Sequence, residues 1–231
     1  MEYILNDNLE ILTAVNITRD FSTPEGKLSV LRGINLTVNE GEMIAITGES
    51  GVGKSTLMHL LGGLDTPTSG EVIVRGEHLK NKSQEALAAF RNKNVGFVFQ
   101  THYLLDDFNA LENVMLPMLI AGKGNALIRE KGEQLLEQVG LIDRRSHLPK
   151  QLSGGEQQRV AVARALANEP GIVIADEPSG NLDINTGNKL HELLLNLNKE
   201  QKTTFLIATH NRELAADCNR ELKLVDGTIN R

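Results

Sequence analysis

The amino-acid sequence predicts an α/β fold, a parallel sheet flanked by helices with a helical subdomain inserted midway. Three observations predict it. Strand-like and helix-like segments alternate at both ends of the chain. A glycine-rich loop joins a short apolar strand directly to a helix. Between Thr101 and Asn168 the pattern is helical almost throughout.

Taken in order, Leu9–Phe21 and Val30–Val38 read as strands around a Pro-, Glu- and Gly-containing turn at Ser22–Lys27, and Gly41-Glu42 makes a second turn. Met43–Thr47 is a short apolar strand that runs into the glycine loop. Ser55–Leu64 reads as a helix, halted near Gly62-Gly63 and by Pro67–Gly70. A strand at Glu71–Val74, a helix near Ser83–Asn92 and a strand at Val95–Phe99 follow. The central helices are Ala110–Ile120, Ala126–Val139 and Gly154–Ala167. Strands return at Ile172–Ala175, Thr203–Ala208 and Glu221–Val225, with helices between them.

At 231 residues the chain fits one large domain, or a core with a subdomain. A net charge of −6 lacks the basic footprint of a duplex-binding protein, and 3% aromatics without Trp offers no stacking platform for single strands, so no nucleic-acid partner is expected. Cys218 is the single cysteine; it permits no internal disulfide and fits a reducing compartment. Met1–Glu10 has no basic start and contains Glu2, Asp7 and Glu10, so no signal peptide is expected there. The longest uncharged apolar stretch, Val114–Gly122, falls far short of the ~20 residues of a membrane span. A cytosolic protein is expected, unless a partner holds it at a membrane.

Gly48-Glu49-Ser50-Gly51-Val52-Gly53-Lys54-Ser55 is a phosphate-binding loop in the setting its chemistry requires, after a buried strand and before a helix. Its glycines let successive N–H groups point inward at the phosphates, and the helix N-terminus adds partial positive charge. Lys54 would neutralise phosphate charge and Ser55 would offer a hydroxyl to Mg²⁺. Ile172–Glu177 is an apolar strand ending in two carboxylates. Asp176 would hold Mg²⁺ through water and Glu177 would orient and deprotonate an attacking water. Gln100 ends one strand and could sense Mg²⁺ and that water; His210, after another, could bond a phosphate oxygen and Glu177. Either alone is an ordinary strand-end residue. Leu152-Ser153-Gly154-Gly155-Glu156-Gln157 opens a further helix, in which Ser153 and Glu156 form a capping box. Capping alone explains that pair. Adjacent glycines weaken a helix, and they make sense if a phosphate must approach the backbone.

In this order the motifs resemble the ATP-binding cassette ATPases, over nearly the whole chain: phosphate loop, Gln100, the Leu152–Gln157 signature, the Ile172–Glu177 strand, the loop Ser179–Asp183 and His210. The resemblance implies an α/β P-loop NTPase (RecA-like) core with an antiparallel β subdomain and an inserted α-helical signature subdomain. The core would span about 1–100 and 169–231, and the helical part about 101–168. It implies ATP and Mg²⁺ as cofactors, with Glu177, His210 and Gln100 as catalytic residues and Ser55, Gln100 and Asp176 at the metal. The nucleotide-binding set it implies is Phe21, Gly48, Glu49, Ser50, Gly51, Val52, Gly53, Lys54, Ser55, Thr56, Ser153, Gly154, Gly155, Glu156 and Asp183. Phe21 would stack on adenine where relatives often carry Tyr; Ser179 stands where Thr is common and Asn211 where Asp is common.

The resemblance also implies a homodimer in which each ATP lies between the phosphate loop of one subunit and the Ser153–Gly155 turn of the other. Finer details at Leu60–Gly70, His102–Leu105 with Phe108, and Ala110–Val114 are similar to the lipoprotein-releasing branch of the family. MacB-type exporters of drugs, peptides or toxins share much of them. Either branch implies two membrane-spanning permease subunits, LolC/LolE-like or MacB-like, that hold the ATPase peripherally on the cytoplasmic face of the bacterial inner membrane. Thr101–Leu119 would be the segment that grips them. Non-transport members of the family carry long coiled coils or paired cassettes with basic linkers, and the sequence has neither. A simple P-loop kinase would leave Leu152–Gln157 unexplained.

Overall fold

The computed structural model describes residues 9–24 and 26–230. The expectation for Met1–Glu10 therefore falls almost wholly outside the described residues. Two sheets form the frame. In the first, β1 (Glu10–Thr23) pairs antiparallel with β2 (Gly26–Asn39) and with β4 (Ser69–Val74), and β4 pairs antiparallel with β5 (Glu77–His78), in the order β2-β1-β4-β5. The turn between β1 and β2 is tighter than its composition suggests, because the strands run on to Thr23 and resume at Gly26. A bulge in β1 puts Asn16 at φ 49, and a Cβ on Gly70 opposite would lie 2.3 Å from the Asn16 carbonyl oxygen.

The second sheet has the order β10-β9-β3-β8-β7-β6. Its strands are β3 (Met43–Thr47), β6 (Val95–Phe99), β7 (Ile172–Asp176), β8 (Phe205–Ala208), β9 (Arg220–Val225) and β10 (Thr228–Asn230). All neighbours are parallel except β10, which returns antiparallel on β9. The two- and three-residue strands β5 and β10 escape a sequence reading because they are too short to show a period of two.

The helices are α1 (Lys54–Leu61), α2 (Gln84–Asn94), α3 (Ala110–Ile120), α4 (Asn125–Gln138), α5 (Gly154–Leu166), α6 (Ile184–Gln201) and α7 (Arg212–Asp217). A parallel sheet covered on both faces reads as continuous apolar runs, and alternate residues of these runs enter two cores. Val173, Ala175, Phe205 and Ile207 pack with α3, α4 and α5. Ile172, Ile174, Leu206 and Ala208 pack on the other face with α1 and the antiparallel sheet. Gly62 at the end of α1 is a packing glycine, since a Cβ there would lie 2.2 Å from the Phe97 ring. Parallel strands bring the C-terminal ends of β3, β6, β7 and β8 to one edge, which is where ligands bind in such sheets.

Candidate nucleotide site

The β3–α1 loop is built from left-handed glycines: Gly48 at φ 152, Gly51 at φ 79 and Gly53 at φ 107. At two of them space is also decisive. A Cβ on Gly48 would stand 2.5 Å from the Leu224 carbonyl oxygen, and one on Gly53 would stand 2.8 Å from Val30 Cγ1. Gly53 caps α1 without a side-chain hydrogen bond, so the cap takes none of the first-turn N–H groups. These are the donors an anionic phosphate accepts from. Lys54 is buried, and its Nζ donates to the carbonyls of Gly48 (3.0 Å) and Glu49 (3.1 Å).

The cleft over this loop is lined by Val30, Ser50, Gly51, Gly53, Lys54, Ser55, Thr56, Gln100, Glu177 and His210. Glu49 and Val52 line an adjoining cleft shared with His210, Arg212 and Lys223. Every lining residue of the first cleft except Val30 is sequence-predicted, and Gln100, Glu177 and His210 reach the phosphate loop from distant parts of the chain.

The two carboxylates at the end of β7, Asp176 on the strand and Glu177 just past it, are held differently. Burial pushes the Asp176 carboxyl above the usual carboxylate range, and the nearby Ser55 hydroxyl, acting as a hydrogen-bond donor, opposes that. One Asp176 oxygen, Oδ1, is buried without a hydrogen-bond partner. Glu177 sits at φ 47, an uncommon conformation for a residue with a side chain. It is fixed from both sides, its N–H donating to the Ala208 carbonyl at 2.9 Å and its own carbonyl accepting from Gly180 N–H at 2.9 Å. Its Oε2 accepts from the His210 N–H at 3.3 Å and lies 2.7 Å from His210 Nδ1. Oε1 lies 3.7 Å from Lys54 Nζ. A carboxylate with one oxygen so engaged and the other facing a cation across a cleft can orient a water and accept its proton.

Gln100 is tied to the loop after β7. Its Nε2 donates to Asn181 Oδ1 at 3.0 Å and its carbonyl accepts from Asn181 Nδ2 at 3.2 Å. A Cβ on Gly180 would stand 2.9 Å from Gln100 Nε2, which keeps that position small. Asn181 belongs to no strand end and no glycine turn, so only its place in the Ser179–Asp183 motif drew attention to it in the sequence.

Other predicted residues lie outside the cleft lining. Ser153 caps α5, its Oγ accepting from Glu156 N–H at 3.3 Å, while Glu156 Oε2 accepts from Ser153 N–H at 2.8 Å and from its hydroxyl at 2.9 Å. These bonds, the backbone N–H of Ser153 first, hold the Glu156 carboxyl below its usual range. A Cβ on Gly155 would lie 2.2 Å from Thr186 Cγ2, whereas one on Gly154 would meet only Leu182 at 3.6 Å. The adjacent glycines therefore differ: packing demands Gly155, and nothing among the described residues demands Gly154. Asp183 caps α6, accepting from Thr186 N–H at 3.1 Å, and its hydrogen bonds from Thr186 lower its pKa. Phe21 is partly exposed on β1, with the Arg19 guanidinium 4.6 Å from its ring centroid.

The donor set fits an anionic phosphate chain with a divalent cation. It combines left-handed glycines, two of them with no room for a side chain, with a buried lysine, a serine hydroxyl and an orphaned buried carboxylate oxygen at Asp176.

Comparison with known proteins agrees. The family model described as ABC transporter matches residues 31–180. The "Lipoprotein-releasing system ATP-binding protein LolD" of Geobacter metallireducens is 49% identical over 219 residues, covering 95% of this chain and 97% of that protein. Its namesake in Syntrophus aciditrophicus is 50% identical over 214 residues, covering 93% and 96%. Among solved structures, the dimeric post-hydrolysis state of the ATP-binding cassette MJ0796 bound to ADP and Pi superposes with a TM-score of 0.88 at 38% identity, covering 96% of this chain and 97% of that one. CbiO1 from Clostridium perfringens, part of the transporter complex CbiONQ, gives 0.84 at 28% identity, covering 96% and 87%.

Proposed function

This chain belongs to the ABC transporter family as an ATP-hydrolysing subunit, and from that premise we propose that it powers the release of lipoproteins from the inner membrane toward the outer membrane. The observation that carries the choice of cargo is identity of about half the residues, over nearly the full length, to the lipoprotein-releasing ATPases. The core (about 1–100 and 169–231) binds nucleotide, and the helical part (about 101–168) presents the signature turn to a second copy.

Mg²⁺, held by Ser55 and Asp176 with Gln100 beside them, would neutralise charge on the β- and γ-phosphates. The chain's own groups do the rest. Lys54 exchanges the loop carbonyls for phosphate oxygens. Glu177 Oε1, the oxygen not engaged by His210, orients the water and takes its proton. His210 holds Oε2 through Nδ1 and keeps Nε2 for the γ-phosphate. Asn181 keeps Gln100 at the metal side of the cleft. Phe21 stacks on adenine.

Because the Ser153–Glu156 turn lies outside the cleft lining, a partner copy supplies that turn to each ATP. The dimeric state of the cassette relative supports this reading. Gly154, which nothing among the described residues requires, is the point of closest approach.

Two permeases complete the machine, LolC/LolE-like in the lipoprotein reading, and the assembly sits on the cytoplasmic face of the inner membrane. No helix among the described residues is long and apolar enough to cross a membrane. The docking groove lies between α2, β6, Pro117 of α3 and the end of α5, with Leu64, Phe97 and Phe99 in its lining. The adjoining stretch after Gln100 exposes Tyr103, Leu105 and Phe108. Buried Asn113 braces it by donating to the carbonyls of Leu105, Phe108 and Asn109, and Arg164 donates to those of His102 and Tyr103. Arg91 and Arg164 in the groove lining make their hydrogen bonds to backbone carbonyls, which suits a partner segment bearing a carboxylate.

The test is to identify the membrane proteins that co-purify with Glu177→Gln in Mg-ATP, and to follow lipoproteins in cells depleted of this chain. Two different permeases, with lipoproteins retained in the inner membrane on depletion, are expected. A single permease type, with lipoproteins still reaching the outer membrane, would overturn the cargo.

A further inference from the structure

Helix α6 carries a buried imidazole. His191 is only 6% exposed, on the same helix as the buried residues Leu190, Leu194 and Leu197. Burial holds its pKa below the ordinary value, with the Glu213 carboxylate acting in the opposite direction. An apolar side chain would fill this place without the cost of burying a polar ring, so the hydrogen bond the ring makes is the informative fact. His191 Nε2 lies 2.8 Å from Ser179 Oγ. One turn earlier on the same helix, a Cβ on Gly187 would stand 3.5 Å from Ser179 Cβ, so the α6 backbone passes closely over that serine.

Ser179 stands two residues after Glu177 and opens the turn that reaches Gln100. Within it, Gly180 N–H donates to the Glu177 carbonyl at 2.9 Å and Leu182 N–H to the Ser179 carbonyl at 3.0 Å. The next side chain, Asn181, makes both of the bonds to Gln100. A continuous line of contacts therefore runs from the interior of α6 through one hydroxyl to a residue of the nucleotide cleft. The same helix meets Gly155 of the signature turn at Thr186, so α6 is a common bed for both turns.

We infer that His191 is a positioning residue for ATP hydrolysis: by holding Ser179 it fixes the Ser179–Leu182 turn, and through Asn181 it sets Gln100 at the cleft. Neither His191 nor Ser179 touches the reacting atoms. The inference rests on the ATPase reading, and wild-type turnover of Mg-ATP tests that reading separately.

The experiment measures steady-state Mg-ATP turnover, with a thermal melt of each variant as a folding control. His191→Phe keeps a ring and removes the bond; Ser179→Ala removes the other partner without repacking the core. Each is expected to lower kcat about fivefold to tenfold, the scale of one lost hydrogen bond, with KM for ATP within about twofold. His191→Gln, which retains a donor near the Nε2 position, is expected to recover at least half of the loss. The double variant is expected to be no slower than the slower single one, because both delete the same link. An unchanged kcat in Ser179→Ala, additive losses in the double variant, or a defect confined to KM would each overturn the inference. Should His191→Phe fail to fold, Ser179→Ala together with His191→Gln decides it. If the wild-type chain hydrolyses no ATP, the proposed function fails first.

Discussion

Asp176 and Glu177 adjoin in sequence, yet the fold gives them opposite surroundings and therefore different tests. Burial raises the Asp176 pKa, so the folded state disfavours its charge. Above the raised pKa this penalty is present in full. As pH falls through the raised value toward the ordinary one the group protonates and the penalty is lost. Asp176→Asn is accordingly expected to raise the melting temperature of the metal-free protein at pH 7 to 8, with the gain shrinking toward pH 4, while abolishing Mg²⁺-dependent turnover. Melts across that pH range check the sign. Glu177→Gln is expected to bind ATP normally and to lose about 10²- to 10⁴-fold in turnover, the usual worth of a general base; single-turnover assays read it. Both residues were legible in the sequence because an apolar strand ending in two carboxylates sits downstream of a phosphate loop. Asn181 and His191 were not legible in the same way. The amide of Asn181, marked in the sequence only as part of the Ser179–Asp183 motif, and an isolated histidine on a helix acquire a role only when the fold sets them against Gln100 and Ser179.

At the level of elements, α5 separates two glycines that sequence reasoning treats alike. Gly155→Ala would press a methyl against Thr186 and is expected to cost about 1–3 kcal/mol, as overpacking does. Gly154→Ala has room for its methyl and is expected to leave the melt unchanged, yet to slow ATP turnover if a partner's phosphate must reach that backbone. Measuring stability and kcat for both variants separates the packing glycine from the functional one. Apolar runs and glycine breaks made the strands of the parallel sheet and the helices α3, α4 and α5 legible. The terminal strands β5 and β10 were not, since two or three residues against a neighbour carry no period, and only the pairing partner reveals them.

At the scale of the whole molecule, the proposed function needs two kinds of partner. One is the permease, proposed to dock in the groove beside Pro117, where we expect Arg91→Glu to leave basal ATP hydrolysis within about twofold, since the residue does not line the cleft over the phosphate loop, and to remove most of the permease that co-purifies. Quantifying bound permease and basal turnover on the same sample checks this. The sequence pointed to Thr101–Leu119 for that contact. Of that segment only Pro117 lines the groove, whose other walls come from α2, β6 and the end of α5; a groove between elements distant in sequence has no local signature. The other partner we propose is a second copy of this chain, whose signature turn completes the cleft over the phosphate loop. Light-scattering mass on Glu177→Gln tests it most directly. With Mg-ATP the mass is expected at twice the 25.3 kDa of one chain, returning to one chain with ADP and also when Ser153→Arg is added. A single-chain mass in Mg-ATP, with nucleotide demonstrably bound, would contradict the account.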